Sequence, residues 1–426
     1  MKRAGRPDEV GATDLDRLGA RIADLRVRYL PADPAPKEPV IQARPEPARG
    51  ERPRQRDGAD LVALFVVTRV VLVAIGLVSR ALVSKPVVHP RPLGVGPSFS
   101  SFAFLDLWGQ WDTSWYLSIA EYGYKPEPLE GALANYGFFP LYPLLVRWVG
   151  WTVGSPFIGG LIVSNAAFLL ACVYLYRLVA IDDDVETARR AVKYLFAAPA
   201  AFLFSAMLSE SLYLALVVMC FYFARTRRWW AVGVLGFLLA LSRGPGFLAI
   251  IPLLWMYLEQ RGFSLRRIRL DVLWLTLLPA AVGAFMLFNW DLTGDPLAFA
   301  RIQLTGWGHH LRNPFSALWR AVTGEDAVLS FNGWYMISVL VLILLSLRML
   351  GAAYSFFALI SALTPLLYSV PGGSMARYTV VIFPLYVVAA RLTRNRPGLD
   401  QAVTIALALL QGFLMGQWVH NSLLVV

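Results

Sequence analysis

Asp112, Glu210, Arg243, Asp295 and Arg377 stand at or near the ends of apolar stretches in this 426-residue chain. Charged groups beside a hydrocarbon layer are costly unless they are paired or face water, so five such residues together suggest a site. Taken singly, each reads equally well as an interfacial charge that ends a helix. Asp112 is the sharpest of them. It lies in Trp111-Asp112-Thr113-Ser114-Trp115-Tyr116, at the start of a stretch with helical spacing of Trp108, Trp111, Trp115, Ile119 and Tyr122. There a helix dipole stabilises a carboxylate, which serves either as an N-terminal charge or cap, or as an ionised base. Asp106, six residues earlier, is the competing carboxylate.

The elements that must position these residues are membrane helices. Hydrophobic residues make up 57% of the chain and charged residues 16%, well below the quarter or so of soluble domains. Residues 1–60 hold 13 basic and 11 acidic residues, and the other 366 positions hold 26 and 17. The two regions therefore suit different solvents. Residues 1–60 read as a charged, Pro-rich cytoplasmic tail, mostly disordered, with one short helix expected over Asp14–Tyr29. Residues 61–426 read as the membrane domain. No signal-peptide core occurs in the first 30 residues. The formal net charge of +11 is spread over short loops, which fits lipid topology better than nucleic acid.

Apolar runs predict an all-α polytopic protein with about eleven transmembrane helices: 61–83, 157–181, 191–208, 211–224, 229–242, 247–258, 272–290, 331–350, 354–370, 378–392 and 401–419. Clusters at Arg189/Arg190/Lys193, Arg225/Arg227/Arg228, Arg261/Arg266/Arg267/Arg269 and Arg391/Arg394/Arg396 share one side if 138–154 does not cross. By the positive-inside rule that side is cytoplasmic. The opposite face then carries a first outer loop (84–157), a second (291–330) and three turns. The tryptophan-bearing stretch of the first loop is expected to lie on the outer leaflet as an amphipathic interfacial helix. Phe138-Phe139-Pro140-Leu141-Tyr142-Pro143 is expected to anchor a short or re-entrant segment by packing alone.

Other chemistries find little footing. Cys172 and Cys220 both fall inside apolar runs, which disfavours disulfide, zinc and thiol chemistry. His309 and His310 are adjacent and point in different directions on a helix, so they suit the rim of a site or solvent rather than one metal. No Asp-x-Asp lies near the outer face, and Asp182-Asp183-Asp184 reads as a solvated loop. Neither metal nor cofactor is implied.

The pairing of residues 111–124 with Phe138–Arg147 resembles the PIG-V family of GPI mannosyltransferase II type. Ser209–Tyr213, Ser242-Arg243, Gly294–Phe299 with Gln303 and Trp307, and Arg377-Tyr378 before Phe383-Pro384 agree with it. The resemblance implies a GT-C fold, a polyprenyl-phosphate sugar donor and a catalytic aspartate in the first outer loop, which is Asp112 by position in the motif. It implies an inverting mannosyltransferase acting on a lipid-linked or glycan acceptor at the extracytoplasmic face of the plasma membrane. Departure of a phosphate asks for positive charge, which Arg377 and Arg243 would supply. Glu210 and Asp295 would orient sugar hydroxyls or hold the arginines, with Asp106, Trp111, Tyr116, Gln303 and His309 in support. A GPI anchor is a eukaryotic lipid, and the Arg/Ala/Val-rich composition suggests an actinobacterium with another acceptor. The alternatives are a transporter or flippase of a lipid-linked sugar, or the same enzyme type with another sugar. A transporter is expected to show internal repeats and polar or broken helices at mid-membrane, and the sequence shows neither a clear repeat nor a mid-span carboxylate.

Overall fold

The computed structural model describes residues 55–83, 98–127, 133–311, 313–324, 326–368 and 375–425. Most of the expected tail, including 14–29, and residues 84–97 of the first loop lie outside them. The chain divides into two units, Met1–Ala63 and the compact Leu64–Val426. Among the described residues the chain is all-helical, with no β-strand.

The α-helices begin with α1 (Gln55–Leu82), the short α2 (Ala103–Asp106) and α3 (Thr113–Tyr122) of the first loop, α4 (Leu141–Val153), α5 (Pro156–Asp182), α6 (Val185–Ala197), α7 (Glu210–Arg225), α8 (Trp229–Ser242), α9 (Ile250–Gln260) and α10 (Leu277–Thr293). The second loop holds α11 (Ala298–Thr305) and α12 (Pro314–Thr323). Then follow α13 (Ala327–Met349), α14 (Ala352–Tyr368), α15 (Met375–Thr379), α16 (Pro384–Thr393) and α17 (Pro397–Val419). Among the described residues, five stretches are long and apolar enough to cross a bilayer: Gly58–Leu82, Pro156–Asp182, Leu270–Thr293, Ala327–Met349 and Pro397–Val419.

Four of the eleven expected spans are broken or change helix type, and 272–290 is one of them, 3-10 over Leu270–Thr276 before α10. The 191–208 stretch leaves the α-helix at Ala197, where the residue before Pro199 turns extended, and resumes as a 3-10 turn over Ala201–Phe204. The 247–258 stretch begins as 3-10 helix over Gly244–Ala249 before α9. The 378–392 stretch divides between α15 and α16, and Pro384 opens the second piece. Composition gives the apolarity of such runs but not their interruption.

Packing is tight where backbones meet. A Cβ on Gly159 of α5 would stand 2.5 Å from the Gly150 backbone of α4, so only glycine allows this approach. Helix α4, at 13 residues, reaches about 20 Å, short of the ~30 Å hydrocarbon core. In α1 the guanidinium of Arg69, unremarked in the sequence, lies 5.1–5.9 Å from the ring centres of Phe65, Phe168 and Phe196 and donates to the Ala201 carbonyl. A cation within a spanning helix is thus held by aromatic faces instead of a carboxylate.

The foot of α7 is closed by ion pairs. Arg225 meets Asp182 at 2.6 Å, Arg391 meets Asp183 at 2.8 Å, and Arg394 meets Asp184 at 2.7 Å. Tyr354 adds a hydrogen bond to Asp182, and Asp184 also caps α6 through the Thr187 N–H. The aspartate run is therefore a clasp between helices, not the solvated loop expected. It gathers three of the basic clusters, with Arg190 reaching the Arg394 carbonyl.

The aromatic helix of the first loop also differs from expectation. Eight of the ten residues of α3 are buried, Trp115 and Ile119 among them. Trp115 stacks on Phe138 at 5.7 Å and meets Trp307 edge-on. Trp108, Trp115 and Ile119 of its stripe are covered by protein while Tyr122 at its end is exposed, so the stripe is not the free interfacial face foreseen. An exposed aromatic pair stands on α12, where Phe315 and Trp319, four residues apart, are 82% and 70% exposed.

Candidate active site

The loop that carries Asp112 is sewn onto the segment that leads into α7. Met207 N–H donates to the Trp108 carbonyl, and the Thr113 hydroxyl donates to the Met207 carbonyl, both at 3.2 Å. Trp418 Nε1 donates to the Leu107 carbonyl from the end of α17. Ser211 ties α7 back to Phe204 through a 2.6 Å bond. These ties fix Asp112 beside Glu210, although 98 positions separate them in the chain.

Trp111, just before Asp112, has φ +52°, a left-handed conformation that a bulky residue adopts only when its surroundings impose it. Its carbonyl accepts from the Ser114 hydroxyl. The Asp112 side chain makes no capping bond to α3, which removes the helix-cap reading of that carboxylate. It turns instead to Arg377.

Four charged residues form a chain there. Arg377 Nη2 donates to Asp112 Oδ2 at 2.6 Å, and Arg377 Nε donates to Glu210 Oε1. Arg243 Nη1 reaches the same Glu210 oxygen at 2.6 Å. Glu210 is fully buried, Arg377 nearly so, and Asp112 remains one-quarter exposed. Two carboxylates thus balance two arginines, with one glutamate oxygen serving both cations. The Tyr378 ring lies under Arg243, 6.0 Å from its guanidinium carbon.

These groups border a cavity of about 1470 Å³. Asp112, Arg243, Arg377, Trp111, Tyr116, Gln303 and His309 line it, as do the apolar Phe247, Met286 and Leu329; Glu210 stands behind the arginines. Tyr116 hydrogen-bonds Ser209 at 2.8 Å, and burial raises its phenol above the ordinary value, so it stays protonated. His309 Nδ1 pairs with Gln303 Oε1 at 3.0 Å, and Gln303 Nε2 donates to the Gly137 carbonyl. Burial lowers the His309 pKa, an effect that the Asp112 charge partly offsets. With Nδ1–H donated to Gln303, Nε2 is the free acceptor. His310 is exposed.

Two of the expected residues are not brought to the site. Asp106 accepts from Arg80 at 2.9 Å and from the Phe99 and Ser100 N–H groups, so it orders its own loop. Asp295 pairs with Arg301 at 3.0 Å and accepts from the Leu297 N–H, with no hold on Arg243 or Arg377. Conversely, Phe138 and Phe139, expected only to pack, form part of the cavity wall, as do Gln110, Tyr378 and Asn421. Asn421 follows the end of α17 with φ +56°; an asparagine after a helical run is the signal that marks such a turn.

Among the described residues, no group of three or more His, Cys, Asp and Glu side chains is arranged to hold a metal ion. Both cysteines are buried and unpaired. Residues 62–264 match the family model described as Mannosyltransferase (PIG-V). The PIG-V-matching segment contains Asp112, Glu210 and Arg243, while Gln303, His309 and Arg377 reach the same cavity from beyond it. Solved structures similar to the chain include the Archaeoglobus fulgidus oligosaccharyltransferase with zinc and sulfate, at 16% identity and TM-score 0.40 over 84% of this chain and 53% of that one. Another is the oligosaccharyltransferase AglB of the same organism with an inhibitory peptide and a dolichol-phosphate, at 15% identity and TM-score 0.41, covering 83% and 55%. The chain thus spans about half the length of these structures. No curated protein matches it.

Proposed function

We propose that this protein is a membrane glycosyltransferase that moves mannose from a polyprenyl-phosphate-mannose donor to a lipid-linked or glycan acceptor. The observation that carries the reading is the Asp112–Arg377–Glu210–Arg243 chain on the wall of a largely apolar cavity. The PIG-V match supports the sugar and the reaction class.

The chemistry follows from the charges. An acceptor hydroxyl oxygen attacks the anomeric carbon from the face opposite the phosphate. The new glycosidic bond forms as the bond from carbon to phosphate oxygen breaks, and its electron pair leaves with the phosphate. Asp112 takes the hydroxyl proton. Arg243 and Arg377 stabilise the charge left on the phosphate, a good leaving group that needs no second carboxylic acid. Glu210 holds both arginines in place. Configuration at the sugar inverts. His309 and Gln303 offer a fixed acceptor and amide to sugar hydroxyls.

The basic clusters and the Asp182–Asp184 clasp lie at the opposite end of α7 from the cavity. Read by the positive-inside rule, the clasp as the cytoplasmic end supports a cavity on the extracytoplasmic side of the plasma membrane. The test is transfer by purified protein in nanodiscs, offered a panel of polyprenyl-phosphate sugars and membrane glycolipids. Transfer of mannose that Asp112→Asn abolishes is the expected result. Near-normal turnover by Asp112→Asn overturns the assignment, and lipid flux without a new glycosidic bond overturns the enzyme.

A further inference from the structure

We propose that residues 265–270, at the end of the molecule that holds the Asp182–Asp184 clasp, form a binding surface for an anionic phospholipid. The surface is separate from the cavity and independent of its chemistry.

The clasp gathers three of the four basic clusters. The fourth belongs to the link between α9 and the apolar stretch Leu270–Thr293, which reads Leu265-Arg266-Arg267-Ile268-Arg269-Leu270. Gln260 Nε2, at the end of α9, donates to the Ala224 carbonyl near the end of α7, so the link starts at the foot of α7. All six of its residues are exposed, Leu265 by 80% and Leu270 by 83%. Apolar side chains laid bare together mark a contact with lipid or with a partner. Continuity decides between the two. The link runs directly into a stretch apolar enough to cross a bilayer, so it stands at the edge of the hydrocarbon layer.

Charge selects the lipid. Arg261, just ahead of the link, is taken by Asp271 at 2.7 Å. Among the described residues, Arg266, Arg267 and Arg269 meet no carboxylate. Three guanidinium groups without a counter-charge attract phosphate, and their planar forks match its oxygens. A zwitterionic headgroup sets its own cation against them, whereas an anionic headgroup does not.

The link is also held in place, so binding orders little that is not ordered already. Gly262 and Phe263 turn the chain out of α9 with φ +63° and +53°. The Phe263 N–H donates to the Leu258 carbonyl at 2.9 Å, and its ring meets Trp255 edge-on. The Tyr257 hydroxyl accepts from the Arg269 N–H at 3.0 Å and donates to Asp271 Oδ1 at 2.6 Å. Ile268 and Arg269 have extended backbone, which sends Ile268 and Leu270 to one side and Arg269 to the other. Apolar groups can therefore enter the acyl layer while a guanidinium stays at the level of the phosphates.

The test titrates the full chain in detergent micelles with phosphatidylglycerol or phosphatidylcholine of the same acyl chains, followed by native mass spectrometry. The parent should prefer phosphatidylglycerol by about fivefold or more, the factor that one basic residue near an anionic surface supplies. Arg266→Gln/Arg267→Gln/Arg269→Gln should bring phosphatidylglycerol down to the phosphatidylcholine level and leave phosphatidylcholine within about twofold of the parent. Arg266→Gln/Arg267→Gln should remove most of the preference and serves if the triple variant does not fold. Leu265→Ser/Leu270→Ser should weaken both lipids alike. Arg227→Gln/Arg228→Gln, an exposed pair just beyond the end of α7, should keep the preference. Equal affinity of the parent for the two lipids overturns the proposal, as does a preference that survives in the arginine variants. Unchanged binding in Leu265→Ser/Leu270→Ser overturns the apolar half of the surface. An equal loss in Arg227→Gln/Arg228→Gln also overturns the proposal, because diffuse charge would then be the cause.

Discussion

At the foot of α7, Asp182, Asp183 and Asp184 hold Arg225, Arg391 and Arg394, one apiece. At its head, Glu210 holds two arginines on one oxygen, and Asp112 shares one of those two. The helix has 16 residues, so the two networks stand about 22 Å apart. Both are built from aspartate, glutamate and arginine. The difference is in how partners are allotted. One-to-one pairing leaves no cation uncommitted and serves to fasten helices. Shared pairing beside a cavity leaves arginine N–H groups open to another anion, which is what a reaction that expels a phosphate requires.

The largest break in that comparison should come from Glu210→Gln. It leaves Arg377 and Arg243 without their buried counter-charge, and removing one partner of such a network costs about 3–5 kcal/mol. Transfer should fall by more than ~10²-fold, with a lowered midpoint in thermal unfolding. Arg243→Lys should be gentler on the fold. Loss of the planar fork should lower kcat/KM for the donor by roughly tenfold to a hundredfold while the unfolding midpoint moves little.

Asp183→Asn tests the other end. Partly exposed pairs contribute about 0–1 kcal/mol, so stability should drop slightly and transfer should stay within about twofold of the parent. A large activity loss there would dissolve the distinction between clasp and site. The smallest effect concerns His309. Burial lowers its pKa in the fold, partly against Asp112, so the folded state binds this proton less readily than the unfolded state. Stability should therefore decline as the pH falls through and below the ordinary histidine value of about 6.5. His309→Gln should flatten that part of the profile, as read by unfolding midpoints between pH 8 and 5.

How much of this was legible in the sequence depends on what kind of information each residue carries. Asp112 could be found because its tryptophan-rich motif and its place in a loop between apolar runs agreed. Glu210, Arg243 and Arg377 could be found because charges at the ends of apolar runs are costly. Asp106 and Asp295 have the same types and loops, yet they turn to nearby backbone N–H groups and to Arg80 and Arg301. Loop assignment says which carboxylates can approach a site, while local turn geometry decides which way each one faces. The tryptophan stripe of α3 failed for a related reason. Helical spacing reveals a covered face but not whether lipid or Phe138 and Trp307 provide the cover. The breaks at Ala197 and before Pro384 fall inside runs apolar enough to pass as spans, so hydropathy alone ran through them.

A volume of about 1470 Å³ exceeds the ~300–1000 Å³ of pockets that take one small ligand. Sugar donor and acceptor can lie in it side by side, without one product departing before the second substrate enters. Initial-rate plots at several fixed acceptor concentrations should then intersect, the mark of a ternary complex, where a covalent sugar relay would give parallel lines.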